Sequence, residues 1–499
     1  MTTPWLGYLI AAIAGSLLPL AFAPYEYYPL ALISPAVLFG LWRRATARQG
    51  FLLGGLFGIG MFGTGVTWIF ISIHEHGYVN LWLSIFITVL FVVVLALFPA
   101  LAGYCATRYK SLGSSRSETV IMVMIFPSLW VLCEWVRGWF LTGFPWLNLG
   151  YSQIDAPLAG LAPLVGVYGV SYATALCAAM LVATFDFDRR QIKGGYVIVL
   201  ICLWLMCAAF LHIEWTRPDG PPIRVAIVQG NIPQDLKWHS EMKQPTFELY
   251  TNLTRKHWDN DLIIWPETAL PAVYDEARDF LRQLGEEARN NDSDILVGLI
   301  YQDPTTMHYY NTMVSVGKIE RLYNKQHLVP FTEYLPLKSV LAGIVDFMKV
   351  PMSDFSAGGA EQPLLEVAGH KIGMSICFED AFGEEVIRTL PVATMLVNVS
   401  NDAWFGNSIA PHQHLQIARM RALETGRFLM RATNTGISAM IDNNGKVYSA
   451  APQFKEFVLS AQAQPMMGAT PYVRLGNYPI IVLAGIMLGV AIYLGKKKI

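Results

Sequence analysis

Charged residues are scarce in this chain, and neither sign is in clear excess. Asp, Glu, Lys and Arg make up 15% of the 499 residues, and 36 basic residues nearly balance 37 acidic ones. A protein that binds nucleic acid needs a basic surface to neutralise phosphates. The net charge of −1 therefore argues against nucleic acid as a partner. Apolar residues make up 54% of the chain, which together with the low charge is typical of a membrane protein.

The apolar residues are concentrated before about residue 213 and after about residue 478. Runs long enough to cross a bilayer as helices lie near residues 5–23, 26–42, 51–73, 80–106, 119–139, 158–185, 195–213 and 478–495. We therefore predict eight spans. The predicted domains are a seven-helix membrane domain at 1–213, an exported domain at 214–477, and a C-terminal transmembrane helix with a basic tail at 478–499. The first run lacks a basic start, so a cleaved signal peptide is not predicted.

Basic residues are absent from two of the short loops and clustered in those on the other side of the membrane. The clustered residues are Arg43, Arg44, Arg48, Arg108, Lys110, Arg116, Arg189, Arg190, Lys193, Lys496, Lys497 and Lys498. Because basic loops stay in the cytoplasm, both termini are predicted to be cytoplasmic. Residues 214–477 are then exported, which in a Gram-negative cell means that they face the periplasm from the inner membrane.

Cysteine is also scarce, with six in the chain, and Cys377 is the one that falls in the predicted exported domain. An unpaired thiol in an oxidising compartment is prone to oxidation, which favours a chemical role. The apolar stretch before Cys377 reads as a buried strand, and Glu379 and Asp380 follow it. A thiol at a strand end is held rigidly, which suits a nucleophile. The alternative is that Cys377 is a small core residue.

Two further strand ends carry side chains that a reactive thiol requires. The strand Leu262–Trp265 is stopped by Pro266 and followed by Glu267. A carboxylate beside tryptophan and proline is partly desolvated and accepts a proton more readily, as a general base must. Lys325 follows a predicted strand at 319–323, and Glu333 comes eight positions later.

Glu, Lys and Cys in this order at three strand ends resemble the carbon–nitrogen hydrolase (nitrilase) superfamily. The resemblance implies that Glu267 is the general base, Lys325 stabilises the oxyanion and Cys377 is the nucleophile. It also implies an α/β fold, the four-layer α-β-β-α sandwich, for the exported domain. Further implied roles are the positioning of Lys325 and the nucleophile by Glu333 and Glu379, and binding of substrate by Trp238, Phe378 and Trp404.

The whole chain also resembles the apolipoprotein N-acyltransferase family. The matching stretches are Trp68–Phe70, Glu134–Trp139, Thr142–Trp146, Val228–Gln234, Trp265–Glu267, His327–Phe331 and Asn401–Phe405. This resemblance implies transfer of the sn-1 acyl chain of a phospholipid, through a cysteine thioester, to the α-amino group of a lipoprotein's diacylglyceryl-cysteine. It implies a phospholipid donor, an apolipoprotein acceptor and no cofactor, and we expect a monomer.

Two other functions are compatible with parts of this pattern. One is a membrane-anchored amidase that hydrolyses a small substrate with the same three residues, but eight spans exceed what an anchor needs. The other is a transporter or channel with an inactive nitrilase-like sensor, which the intact Glu267, Lys325 and Cys377 argue against. His412 and His414 could suggest a metal site, but they lack cysteine or carboxylate ligands nearby in the sequence, so no metal is predicted.

Several segments have two open interpretations. The apolar run at residues 341–352 is either a lid through which lipid reaches the site or a buried amphipathic helix. Pro465–Met467 is a second candidate for the lining of the same opening. The outer ends of spans, His74 and Glu75 in one and Glu134 and Arg137 in another, either admit lipid or form an interfacial aromatic belt with a snorkelling arginine.

Overall fold

The computed structural model describes residues 4–110, 115–186, 191–192, 194–334 and 354–496, and these fall into two units. The first unit comprises residues 1–70, 81–214 and 474–499, and the second comprises 71–80 and 215–473. The second unit thus takes in a short segment from the middle of the apolar N-terminal region. Each unit has its own contacts and is described separately below.

The first unit is built from helices. Its α-helices are Pro4–Leu17, Leu30–Trp42, Ala47–Gly65, Leu81–Lys110, Ser115–Arg137, Ala162–Thr184, Gly194–Phe210 and Tyr478–Lys496, with Trp68–Ile71 at the boundary of the two units. Shorter 3-10 helices are Leu18–Ala21, Phe140–Thr142, Leu149–Gln153 and Pro157–Leu161. Phe185–Asp186 and Gln191–Ile192 form a two-residue antiparallel ribbon.

Three described helices are long and apolar enough to cross a membrane: Leu81–Tyr109, Thr119–Arg137 and Pro157–Thr184. A fourth candidate is the pair Ala47–Gly65 and Trp68–His76, which is bent by 54°. The remaining predicted runs correspond to four shorter apolar helices, at Trp5–Ala21, Leu30–Trp42, Gly194–Phe210 and Tyr478–Leu494. Every predicted run is therefore mainly helical, but the run at 51–73 is divided between two helices by the bend. The crossing of a membrane by all eight runs stays a prediction.

Glycines let two of these helices approach closely. Gly50, Gly54 and Gly58 recur at every fourth position of Ala47–Gly65, so they share one face of that helix. A Cβ at Gly54 would lie 2.1 Å from the carbonyl oxygen of Pro99 on Leu81–Lys110. Small residues at this spacing allow backbones to pack together where lipid gives no hydrophobic driving force.

Glu134 and Arg137, at the end of the helix Ser115–Arg137, are buried and bind the segment that follows that helix. Glu134 Oε1 accepts from the Leu149 N–H at 2.9 Å and from Trp130 Nε1 at 2.8 Å. Arg137 donates to three oxygens in the same region, those of Phe144 O at 2.6 Å, Trp146 O at 2.5 Å and Asn148 Oδ1 at 2.6 Å. Arg137 is 3% exposed, so it does not snorkel toward water.

The second unit contains two six-stranded sheets. One has the strand order Phe457–Ala463, Ile223–Gln229, Leu262–Ile264, Asp294–Gln302, Tyr309–Val316 and Arg321–Asn324. The other has the order Val447–Ala450, Ala439–Ile441, Leu429–Thr433, Met395–Ser400, His370–Ile376 and Leu365–Val367. A short antiparallel ribbon pairs Thr216–Pro218 with Met466–Gly468. Met466 and Met467, predicted from the sequence to line the opening for lipid, are therefore part of a strand.

The two sheets pack face to face and are covered by helices. Alternate residues of one strand serve the two sides, since Val225 and Ile227 face the core shared with the other sheet while Ala226 and Val228 face the helices. Helices of the unit are Ser240–Arg255, Tyr274–Asn290, Gly383–Val386, Ala410–Thr425 and Pro471–Leu475, with 3-10 helices at Cys377–Ala381, Ile387–Thr389 and Asp402–Phe405 and a π-helix at Ser72–His76. The predicted α-β-β-α sandwich is confirmed.

Parallel pairing brings the candidate residues to one edge of each sheet. Ile223–Gln229, Leu262–Ile264 and Asp294–Gln302 run parallel, as do His370–Ile376, Met395–Ser400 and Leu429–Thr433. The carboxyl ends of parallel strands meet at the same edge, where ligands bind in many α/β proteins. The residues that follow these strands therefore lie close enough to act together.

Candidate active site

Cys377 lies where the strand His370–Ile376 ends and the 3-10 helix Cys377–Ala381 begins. Its backbone has a φ of 55°, a left-handed conformation that is strained for a residue with a side chain. Burial raises the pKa of the Cys377 thiol, the charge of Glu267 raises it further, and Lys325 opposes both. The thiol is therefore protonated at neutral pH, and a nearby base is needed to form the thiolate.

Glu267 and Lys325 meet beside this thiol. Lys325 Nζ lies 3.7 Å from Glu267 Oε1 and 2.9 Å from Glu333 Oε1. Burial alone would lower the pKa of Lys325, but the charges of Glu333 and Glu267 raise it above its ordinary value. Lys325 is 1% exposed, so its ammonium charge is fixed in a site from which water is largely excluded. Such a charge can stabilise a developing oxyanion.

Two neighbours hold Glu267 in place through both carboxylate oxygens. Asn311 Nδ2 donates to Glu267 Oε1 at 2.7 Å, and the Asn401 N–H donates to Glu267 Oε2 at 2.8 Å. Asn311 Nδ2 also donates to Glu333 Oε1 at 3.1 Å, so one amide links both carboxylates. The carboxylate is thus held beside the thiol by a hydrogen bond to each of its oxygens.

Glu379 joins the segment that carries Lys325 to the strand that carries the thiol. Its Oε1 accepts from the Gln326 N–H at 2.5 Å and the His327 N–H at 3.1 Å, while its Oε2 accepts from the Ile376 N–H at 2.6 Å. Burial raises the pKa of Glu379 to about 7, against these backbone donors. These contacts are compatible with the positioning role predicted for Glu379. Glu333, with the same predicted role, accepts a hydrogen bond from the Val329 N–H through its Oε2 at 2.8 Å.

The three predicted substrate-binding aromatics all lie in the second unit. Phe378 follows the nucleophile and packs edge to face against Phe382, with ring centroids 5.0 Å apart. Trp404 packs against the ring of His76 at 5.9 Å, and Trp238 is 38% exposed. Their roles in binding substrate stay predictions. The proposed lid at residues 341–352 lies outside the described residues.

Sequence reasoning missed Lys237, Asn311 and Asn401. Lys237 is 2% exposed and donates to Thr268 Oγ1 at 2.8 Å and to the carbonyl oxygen of Glu267 at 3.4 Å. Burial lowers the pKa of Lys237 to about 8, and the charge of Glu267 opposes this. Asn311 could have been noticed as an uncharged polar residue on a buried strand, whereas Asn401 acts through its backbone and leaves no sequence signal.

His414 corrects one expectation. It was expected to lack carboxylate neighbours, but Asp380 and Asp402 lie on either side of its ring, at 2.9 and 3.1 Å. These residues are distant in sequence and come together only when the second sheet forms. Among the described residues, no group of three or more His, Cys, Asp or Glu side chains has the arrangement of a metal site.

Known protein families match this chain in both of its units. Residues 14–180 match the family described as the apolipoprotein N-acyltransferase N-terminal domain, and residues 224–472 match the carbon–nitrogen hydrolase family. The chain is similar to the apolipoprotein N-acyltransferase of Methylococcus capsulatus, with 46% identity covering 97% of this chain and 95% of that one. It is also similar to that of Nitrosomonas europaea, with 44% identity covering 98% of each, and to that of Azotobacter vinelandii, with 42% identity covering 98% and 95%.

Proposed function

The chain belongs to the apolipoprotein N-acyltransferase family, and we propose that it acylates lipoproteins through a thioester on Cys377. The acyl donor is the sn-1 chain of a phospholipid. The acceptor is the α-amino group of a lipoprotein's diacylglyceryl-cysteine. The observation that carries this proposal is the meeting of Glu267, Lys325 and Cys377 at one buried site, with Lys325 3.7 Å from Glu267.

The first half of the reaction acylates the enzyme. Glu267 accepts the proton of the Cys377 thiol, and the thiolate attacks the ester carbonyl of the phospholipid. Lys325 stabilises the resulting oxyanion, a contribution typically worth about 3–4 kcal/mol for one preorganised donor. The tetrahedral species collapses to the thioester, and the glycerol oxygen leaves as lysophospholipid after taking the proton back from Glu267.

The second half transfers the acyl group to the lipoprotein. The neutral α-amine attacks the thioester carbonyl, and Lys325 again stabilises the oxyanion. Glu267 accepts a proton from the attacking nitrogen, the C–S bond breaks, and the leaving Cys377 thiolate takes that proton from Glu267, which regenerates the resting site. An amide replaces a thioester, which is downhill, so the chemistry needs no nucleotide. α-Amines have a pKa near 8, so a useful fraction is neutral at neutral pH.

The membrane location follows from the family and from the apolar helices. We place the enzyme in the bacterial inner membrane as a multi-pass protein, with both termini in the cytoplasm and residues 214–477 in the periplasm. The basic residues clustered in alternate short loops support this orientation. A periplasmic catalytic domain has access to outer-leaflet phospholipid and to lipoproteins anchored there.

The proposal is tested by the intact mass of protein purified from membranes or incubated with a phospholipid of defined chains. A mass gain equal to one acyl chain that hydroxylamine removes is expected for the native chain, and none for Cys377→Ala. Adding a diacylglyceryl peptide with a free amine should discharge the thioester and yield an N-acylated peptide. An enzyme that hydrolyses small amides but takes up no acyl chain would be the amidase instead.

A further inference from the structure

Four charged side chains form a buried cluster behind the nucleophile. Asp380, Asp402, His414 and Arg431 are each 2% exposed or less. His414 Nε2 lies 2.9 Å from Asp380 Oδ1, and His414 Nδ1 lies 3.1 Å from Asp402 Oδ1. Arg431 donates to Asp402 Oδ2 at 3.0 Å and to Asp380 Oδ2 at 3.4 Å. With both nitrogens of His414 protonated, two positive charges balance two negative ones, and the cluster is neutral.

The hydrogen bonds fix the protonation state of His414. Both ring nitrogens face carboxylate oxygens, so both must donate, and a histidine that donates from both nitrogens is an imidazolium. Arg431 donates to both carboxylates. Burial would raise the pKa of Asp402, but the charges of Arg431 and His414 lower it. Burial and the Arg431 charge would lower the pKa of His414, but Asp380 and Asp402 outweigh them and raise it to about 9. A ring that is already protonated at neutral pH cannot act there as the base for a thiol.

One nitrogen of this ring also reaches the backbone of the nucleophile. His414 Nε2 lies 3.3 Å from the carbonyl oxygen of Cys377, and Asn398 Nδ2 donates to the same oxygen at 3.2 Å. Cys377 has the left-handed φ of 55°. Such a strained backbone persists only when its surroundings fix it. The two donors on the Cys377 carbonyl help to fix it, together with the bond from the neighbouring Ile376 N–H to Glu379.

We propose that His414 is a positioning residue for acyl transfer: as an imidazolium held between Asp380 and Asp402, it holds the Cys377 carbonyl and so directs the thiol toward Glu267 and Lys325. The proposal rests on the proposed role of Cys377 as nucleophile. It differs from a base or metal role because the ring acts through its N–H groups on the nucleophile's backbone. Loss of that donor should slow the chemical step and leave binding of the lipid unchanged.

Charge-balanced variants isolate this hydrogen bond. Replacing His414 alone would leave two buried carboxylates facing one arginine, and unfolding could follow. Both His414→Leu and His414→Gln are made in an Asp380→Asn background. In each double variant the positive charge of Arg431 balances the negative charge of Asp402, so the cluster stays neutral. The glutamine retains an N–H donor of similar reach, and the leucine does not. His412→Gln, on the same helix, is the matched control.

The full chain in detergent is assayed for thioester formation with a defined phospholipid, measuring kcat and KM, alongside thermal melting. We expect the leucine variant to have a kcat at least about tenfold below the glutamine variant, the scale of one lost positioning contact. The KM for phospholipid and the melting temperatures should agree between the two. Equal kcat values, or values that differ only in proportion to the folded fraction, would overturn the proposal.

A second measurement does not depend on acyl transfer. The rate at which iodoacetamide alkylates Cys377, identified in its own peptide by mass, reports how the thiol is placed relative to Glu267 and Lys325. The leucine variant should be alkylated more slowly than the glutamine variant, with a shifted pH profile. If the native chain forms no thioester but the two variants still differ in their alkylation, the proposed function is contradicted and the positioning role is intact. Identical alkylation profiles would contradict the positioning role.

Discussion

Glu267→Gln tests the proposed base with little change of shape. General base catalysis contributes about 10²–10⁴-fold to a rate, and each tenfold corresponds to about 1.4 kcal/mol. The acylation of Cys377 by phospholipid should therefore slow by about two to four orders of magnitude, or about 3–5 kcal/mol. In the variant the charge of Glu267 no longer raises the pKa of the thiol, but burial still does, so too little thiolate forms unaided to replace the base.

The structure also predicts a loss of stability in this variant. Both oxygens of Glu267 accept hydrogen bonds, from Asn311 at 2.7 Å and from the Asn401 N–H at 2.8 Å. A glutamine must either turn its NH₂ group toward one of these donors or let Asn311 turn its amide and give up its bond to Glu333, and one lost hydrogen bond of this kind costs about 1–3 kcal/mol. The melting temperature should fall by several degrees while the protein stays folded at 25 °C.

A single-turnover assay separates the two effects. Detergent-solubilised protein is mixed with excess phospholipid, and the fraction carrying a thioester is followed by intact mass. The rate of the variant should rise in proportion to hydroxide concentration, since thiolate formation then depends on pH alone. Glu286→Gln, an exposed change on the helix Tyr274–Asn290, should acylate at the native rate. A Glu267→Gln rate within about tenfold of native would refute the assignment of the base.

Three further outcomes follow from the site. Cys377→Ala should form no acyl-enzyme and Cys377→Ser very little, because an alkoxide is far harder to form than a thiolate; phospholipid-dependent acyl transfer by the alanine variant would exclude Cys377 as nucleophile. Lys325→Ala should prevent thioester formation, whereas Lys318→Ala, at an exposed ion pair, should have no effect; a labelled Lys325→Ala protein would show that another group stabilises the oxyanion. Since the pKa of His414 is raised from 6.5 to about 9, its stabilisation is complete below pH 6.5 and is lost as pH rises through 9. In thermal melting from pH 6 to 10 the native chain should lose on the order of 3 kcal/mol relative to the Asp380→Asn/His414→Gln variant, and the same pH dependence in both proteins would contradict this.

The sequence determined the parts of this protein that depend on local pattern. Apolar runs marked the helices of the first unit, since a helix in lipid must be apolar along its length. Strands followed by polar residues marked Glu267, Lys325 and Cys377. The strands before Glu267 and Cys377 run parallel to their neighbours, so the residues that follow them are delivered to one edge. The order of these residues was enough to name the superfamily, and therefore the sandwich.

The tertiary structure alone decided which side chains touch across the sheets. Asn311 links Glu267 to Glu333, and the backbone of Asn401 reaches Glu267 from 134 positions away. His414, read from sequence as having no carboxylate neighbours, lies between Asp380 and Asp402. Residues 71–80 join the second unit although they follow the apolar helix Ala47–Gly65. Such contacts depend on strand order and register, which are set by packing of the whole unit, and a local pattern of residues does not encode them.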